Sequence, residues 1–189
     1  MRRKHPRLAF VTAAALALGA CSRHAAPDDD TTGSAAAVEP GAQALPDVLD
    51  DADGLQIVAE SLKETGIAGI FKGRGSYTLL APEDAAFAQL GDAGKELTGS
   101  TDHTALAALL RDHLIPGYMT PQDISAAIDA SKDRQVLMTT VSGRKLTFAK
   151  SDGTVTITAP DGSQANIDGG ALAGGSSVAI PVNAVLKKI

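Results

Sequence analysis

The sequence predicts an α+β domain. Apolar residues recur at helical spacing through the first half, the pattern changes from Arg134 onward to short alternating or β-branched runs, and Gly-bearing turn tripeptides separate those runs. With 189 residues and 44% hydrophobic content the chain fills one core, and two domains would be cramped.

The first helix is marked by Leu55, Val58, Ala59 and Leu62, with Gln56, Glu60, Lys63 and Glu64 on the opposite face. Gly66 follows where a helix C-terminal cap belongs, and a shorter segment, Ile67 to Phe71, leads into the Gly-punctuated turn "KGRGS". Tyr77 to Leu80 reads as a buried strand that Pro82, lacking an N–H, brings to a stop. Asp84 then places a carboxylate near the positive end of a new helix, with Phe87 and Leu90 facing inward until Gly91 breaks it. Thr101 or Asp102 can cap the next helix, whose Leu106, Leu109, Leu110, His113 and Leu114 share one face. Pro116-Gly117 ends it, and "TPQDISAAIDA" starts another with Pro121 in its first turn.

In the second half "QVLMTTV", "KLTFAK", "TVTITA" and "SQANID" are strands, and "SGR", "SDG" and "PDG" are the hairpin turns between them. "GGALAGGSS" reads as a loose loop. The final run, "VAIPVNAVLKK", reads as a strand whose Pro181 argues for an edge or a bulge.

Residues 1–20 have the layout of a secretory signal: Arg2, Arg3, Lys4 and Arg7, the uncharged stretch Leu8 to Gly19, then small residues. The stretch is short for a membrane span, which needs about 20 apolar residues. Its ending, Leu18-Gly19-Ala20-Cys21, resembles the lipobox of bacterial lipoproteins, and Cys21 is the only cysteine in the chain. The bland alternative is an incidental Cys beside an ordinary cleavage site, but position and neighbours agree on lipid attachment at Cys21. Each buried methylene of an acyl chain such as palmitate is worth about 0.8 kcal/mol, so several chains make a stable membrane anchor. Ser22 in place of Asp resembles the sorting pattern for the outer membrane of the bacterial cell envelope. Residues 21–45 hold the lipidated Cys and a flexible tether, rich in Ala, Asp, Thr, Gly and Pro and poor in large apolar side chains. As a coil the tether spans roughly 25 to 30 Å. Within it, Asp28-Asp29-Asp30 lacks the turn geometry and further ligands of a calcium loop and reads as a solvated acidic patch. The folded domain occupies 46–189.

Composition narrows the function. The formal charge is −5, and loss of four leader cations leaves 13 basic against 22 acidic residues, or −9. Such a surface repels phosphate backbones, and aromatics at 3% supply no stacking platform, so nucleic acid is not the expected partner.

The order of these features resembles the fasciclin domain family. Its early stretch T-(V/I)-F-A-P-(T/S)-(N/D)-x-A-F is matched by Thr78-Leu79-Leu80-Ala81-Pro82-Glu83-Asp84-Ala85-Ala86-Phe87. Its L-L-x-x-H-(V/I)-(V/I)-P-G is matched by Leu109-Leu110-Arg111-Asp112-His113-Leu114-Ile115-Pro116-Gly117. The closing N-G-x-I-H-x-I-D-x-V-L is matched weakly by Ser176 to Leu186, with Ser177, Ile180 and Asn183 in place of its glycine, histidine and aspartate. Glu83 departs from the usual Thr or Ser, a better helix cap. The resemblance covers about 46 to 189. It implies a bacterial fasciclin-domain lipoprotein whose relatives mediate cell-surface contacts with proteins, glycans or matrix.

Catalytic chemistry is not expected. His113, alone on an apolar face, reads as a core group with internally satisfied ring nitrogens, as the resemblance also implies. His5 leaves with the leader, His24 lies in the tether and His103 sits at a helix start, so no pair has metal-ligand spacing. No G-x-S-x-G elbow or P-loop is present, "GGALAGG" precedes no helix that could cradle a phosphate, and Asp152-Gly153 and Asp161-Gly162 are turn formers. The expectation is therefore no catalytic, cofactor-binding or metal-binding residue. The functional expectation is a lipid-anchored adhesion or interaction module outside the cytosol, with a protein or glycan partner. Two alternatives stand beside it: an envelope small-ligand carrier or enzyme using a pocket between helices and sheet, and a housekeeping envelope lipoprotein without an adhesion role.

Overall fold

The structure is a computed structural model that describes residues 41–188. The leader, Cys21 and most of the tether lie outside the described residues. The helices are α1 (Leu45–Asp50), α2 (Gln56–Glu64), a 3-10 helix (Ile67–Lys72), α3 (Asp84–Ala88), α4 (Asp92–Gly99), α5 (Thr104–Asp112) and α6 (Pro121–Ala130). The strands are β1 (Tyr77–Pro82), β2 (Leu114–Pro116), β3 (Gln135–Thr139), β4 (Lys145–Ser151), β5 (Thr154–Thr158), β6 (Gln164–Asn166), β7 (Leu172–Gly174) and β8 (Ser177–Val182).

They form two four-stranded sheets, one in the order β2-β1-β8-β7 and one in the order β3-β4-β5-β6. The second is a hairpin meander, as the turn tripeptides predict. Its β4–β5 turn places Asp152 at φ 51° and Gly153 at φ 84°, the two left-handed residues that a two-residue primed turn requires.

The first sheet is mixed. β1 runs antiparallel to β2 and parallel to β8, with Thr78 opposite Val178 and Val182 opposite Pro82. Both central strands are buried almost throughout, with Thr78 and Ser177 as buried polar residues among apolar ones, because both of their faces are covered. Leu79, Ala81 and Ala179 join a core with α1, α2, the 3-10 helix, α3 and α5. Leu80, Ile180 and Val182 face the other way, into a second core with Ile124 and Ile128 of α6 and Leu146, Phe148 and Ile157 of the meander.

Five expectations change in the folded chain. Leu45, assigned by composition to the tether, is fully buried at the start of α1. α3 stops at Ala88, three residues before Gly91, whose φ of 60° opens another helix at once, α4. In that helix Gly94 packs so closely on the Phe87 carbonyl that a side chain would collide. Leu114 leaves the helical face and begins β2, because α5 terminates at Asp112 and His113 caps it. The loose Gly-rich loop contains β7, where Gly174 lies against the Leu45 backbone; a Cβ there would sit 2.6 Å from the Leu45 nitrogen. Finally, Pro181 is in a central strand rather than an edge. β7 pairs only as far as Ala179, and the Pro181 carbonyl accepts the Asp168 N–H at 3.0 Å. A strand residue turns its N and its carbonyl to the same side, so the missing N–H of Pro181 faces away from β1 and removes no bond from the parallel ladder.

Candidate functional site

The corner at Pro82 ties two helices together. Glu83, at the N-cap of α3, makes no side-chain capping bond. The Asp84 carboxylate instead accepts the N–H of Ile57 in the first turn of α2 at 2.9 Å, and the Asp84 N–H donates to the Gly54 carbonyl at 2.8 Å. An acid expected to serve its own helix thus caps another one 27 residues earlier.

The threonine of one family-like stretch and the glycine of the other meet in space. Thr78, fully buried, donates its hydroxyl to the Gly117 carbonyl at 2.8 Å and accepts the Met119 N–H at 2.9 Å. Gly117 adopts a φ of 106°, which a side chain would strain, and its own N–H donates to Ser76.

His113 is fully buried between the cores. Leu186 donates its backbone N–H to Nε2 at 3.0 Å, so Nε2 is unprotonated and the ring proton is on Nδ1, which donates to the Leu109 carbonyl at 2.8 Å. Burial pushes the ring pKa down to about 4, and the Arg144 and Lys187 charges act in the same direction against the smaller opposing pull of Leu109 and Asp112. The ring is neutral at ordinary pH and fully engaged.

Beside it is a polar cluster that no sequence motif announced. Arg144 donates to Asp112 and to Asp161, each at 2.9 Å, and Ser142 donates to Asp112 at 2.6 Å. Burial opposes the charge on Asp161, but the hydroxyl and N–H of Ser163, Arg144 and the Lys188 N–H outweigh it and hold the carboxyl well below its usual range. The cluster joins α5, the β3–β4 and β5–β6 turns of the meander and the C-terminal segment. Asp161, a turn former by sequence, is also its outer anchor. Nothing in the spacing of 112, 144 and 161 could have signalled this, since a helix end and two separate turns deliver them.

The remaining predicted positions are not brought together. Cys21, His5, His24 and Asp28 to Asp30 lie outside the described residues. His103 faces Glu64 at 3.7 Å on the surface of α5 and α2. Among the described residues no group of three His, Cys, Asp or Glu side chains is arranged to hold a metal ion, and no helix is long and apolar enough to cross a membrane.

The surface carries open clefts. One of about 530 Å³ lies between α4 and α5, lined by Leu97 and several alanines with Glu96 and Asp102 at its rim. One of about 520 Å³ separates α6 from β5. A polar one of about 350 Å³ sits where the two sheets meet, beside Asn166 and Asn183.

A family model described as the fasciclin domain matches residues 53–188. The chain belongs to the fasciclin domain family. A solved FAS1 domain pair from the insect cell adhesion molecule fasciclin I superposes with a TM-score of 0.64 at 14% identity, over 79% of this chain and 52% of that one. The chain thus spans about half the length of that structure, and at this identity the likeness is one of fold. No curated protein matches in the corresponding comparison. Within the fasciclin fold, a family linked to adhesion and interaction, Thr78, Asp84, His113 and Gly117 all act on the scaffold. Each signature side chain or backbone group is bonded internally.

Proposed function

We propose that this fasciclin domain is a non-catalytic adhesion or interaction module, held outside the cytosol by a lipid anchor at Cys21 and contacting protein or glycan partners from the bacterial cell envelope, at the outer membrane. One observation carries the reading: the signature residues are engaged in holding the fold, His113 through both ring nitrogens. A scaffold of that kind leaves recognition to its surface. Family membership and the lipobox-like Leu18-Gly19-Ala20-Cys21 support it. The test has two arms. The Cys21→Ser protein should leave the membrane fraction after an alkaline wash, and the full chain should retain a macromolecular partner from envelope extracts. Persistent membrane association of the variant would defeat the anchor, and measurable turnover abolished by one polar substitution would defeat the non-catalytic reading.

The cleft between α4 and α5, lined largely by apolar side chains, favours a second reading as a small-ligand carrier. Reproducible co-purification of an apolar small molecule without any macromolecular partner would put that reading first.

A further inference from the structure

The polar cleft at the meeting of the sheets differs from the others in the chemistry of its walls. Its polar side chains are Gln89 from the end of α3, Thr156 of β5, Gln164 and Asn166 of β6, and Asn183 just after β8. None carries a charge. Without a cation the site has no point attraction for phosphate or carboxylate, and without a carboxylate it has none for a metal ion or an amine. Apolar lining is slight, so a lipid or aromatic ligand would gain little there. What four carboxamides and a hydroxyl do offer is paired donors and acceptors at fixed positions, the complement of a neutral molecule dense in hydroxyl or amide groups.

The cleft is held in place before any ligand arrives. Asn166 donates its N–H to Asn183 Oδ1 at 2.8 Å, while the Asn183 N–H donates to the Asn166 carbonyl at 3.2 Å. Thr156 donates its hydroxyl to Asn166 Oδ1 at 2.9 Å, and Gln89 Nε2 donates to the Asn183 carbonyl at 3.3 Å. These bonds use one end of each asparagine amide and leave the other. Among the described residues the Nδ2 groups of Asn166 and Asn183 and the Oε1 atoms of Gln89 and Gln164 have no hydrogen-bond partner. The two asparagine amides, each held at one end, cost little ordering entropy on binding.

The surface continues beyond the cleft with the same character. On the solvent face of the meander, Thr156 stands opposite Asn166, and Thr147, Thr158 and Gln164 follow in register across β4, β5 and β6. A linear ligand of several repeating units therefore meets uncharged hydroxyl and amide groups along its length.

We infer that the cleft formed by Gln89, Thr156, Gln164, Asn166 and Asn183, with the threonine-bearing face beside it, is a binding site for a neutral oligosaccharide. This rests on the interaction-module reading and names the glycan as the partner. The probes are a tetramer of β-1,4-linked N-acetylglucosamine and maltotetraose, which separate acetamido from hydroxyl recognition, added to the isotopically labelled full chain. At least one should produce saturable shifts of the side-chain amide signals of Asn166 and Asn183. Asn183→Asp keeps an oxygen to accept the Asn166 N–H but removes the free donor and adds a charge, so it should weaken binding by about tenfold or more at unchanged thermal stability. Gln89→Ala, at an exposed position, should weaken it several-fold and serves if the first variant is unstable. The inference is overturned if neither sugar shifts those signals, or if both variants bind as the parent does. Should the sugars fail while the full chain still captures a protein from envelope extracts, the glycan site falls and the adhesion reading stands; failure of both removes both.

Discussion

Leu186 donates its backbone N–H to the ring of His113 across 73 residues of sequence. The bond fastens the last buried leucine of the chain to the end of α5, and it exists only while the imidazole is neutral. Replacing His113 with Phe would leave the Leu186 N–H and the Leu109 carbonyl buried without partners. Unsatisfied buried groups cost about 1–3 kcal/mol each, so the variant should lose roughly 2–5 kcal/mol in urea denaturation.

The same ring sets an acid dependence. The unfolded chain takes up this proton near 6.5 and the folded chain only near 4, because burial disfavours the imidazolium. A depressed folded pKa means that the contribution is complete above about 6.5, declines as pH falls toward about 4 and is absent below it. The total is about 3 kcal/mol at about 1.4 kcal/mol per pH unit. Stability measured by denaturant between pH 7 and 4 should show this slope, and His113→Phe should lack it.

Arg144→Met should unsettle the polar cluster from the other side. Asp112 and Asp161 would each lose a hydrogen-bonded guanidinium in a half-buried setting, a loss on the order of 2 kcal/mol. The carboxyl of Asp161, held well below its usual range in the parent, should titrate closer to ordinary aspartate when followed by carbon NMR. An unchanged Asp161 titration would assign its stabilisation to Ser163 and the Lys188 N–H.

Asp84→Ala removes the acceptor for the Ile57 N–H and so uncaps α2 from a distance. The expected loss is about 1 kcal/mol. Amide exchange at Ile57 should accelerate more than exchange within α3, which distinguishes this role from capping of its own helix.

Gly174→Ala would drive a methyl into the Leu45 backbone, whose nitrogen would lie 2.6 Å away. Backbone cannot swing aside, so α1 must separate from β7. The variant should lose more than about 2 kcal/mol, and residues 41–50 should become sensitive to protease while the meander stays protected.

Much of this architecture was legible in the sequence. Period-two runs and Asp-Gly turns announced the meander because hairpins are local, and the Thr120 capping box with Asp123 matches the predicted start of α6. The elements that escaped depend on distant partners. β7 has only Leu172, Ala173 and Gly174, with no periodicity to detect, and is a strand because β8 pairs with it. Leu114 fits a helical face as well as a strand until β1 lies alongside. For the candidate sites, His113 could be read as core from its helical position, whereas the Arg144 cluster and the amide-lined cleft are assembled by loops and strand ends far apart in the chain.

The parallel pairing of β1 with β8 has a bearing on when this molecule can fold. Tyr77 hands its N–H to the Ser177 hydroxyl, 100 residues later, so the central ladder stays open until β8 is available to close it. Closing so long a loop is slow, and no early subset of the chain rewards it. The meander can form from its own local hairpins, whereas the mixed sheet takes its final shape only when β8 arrives. A truncation that removes β8 would leave the first strand without its companion and the product open to degradation.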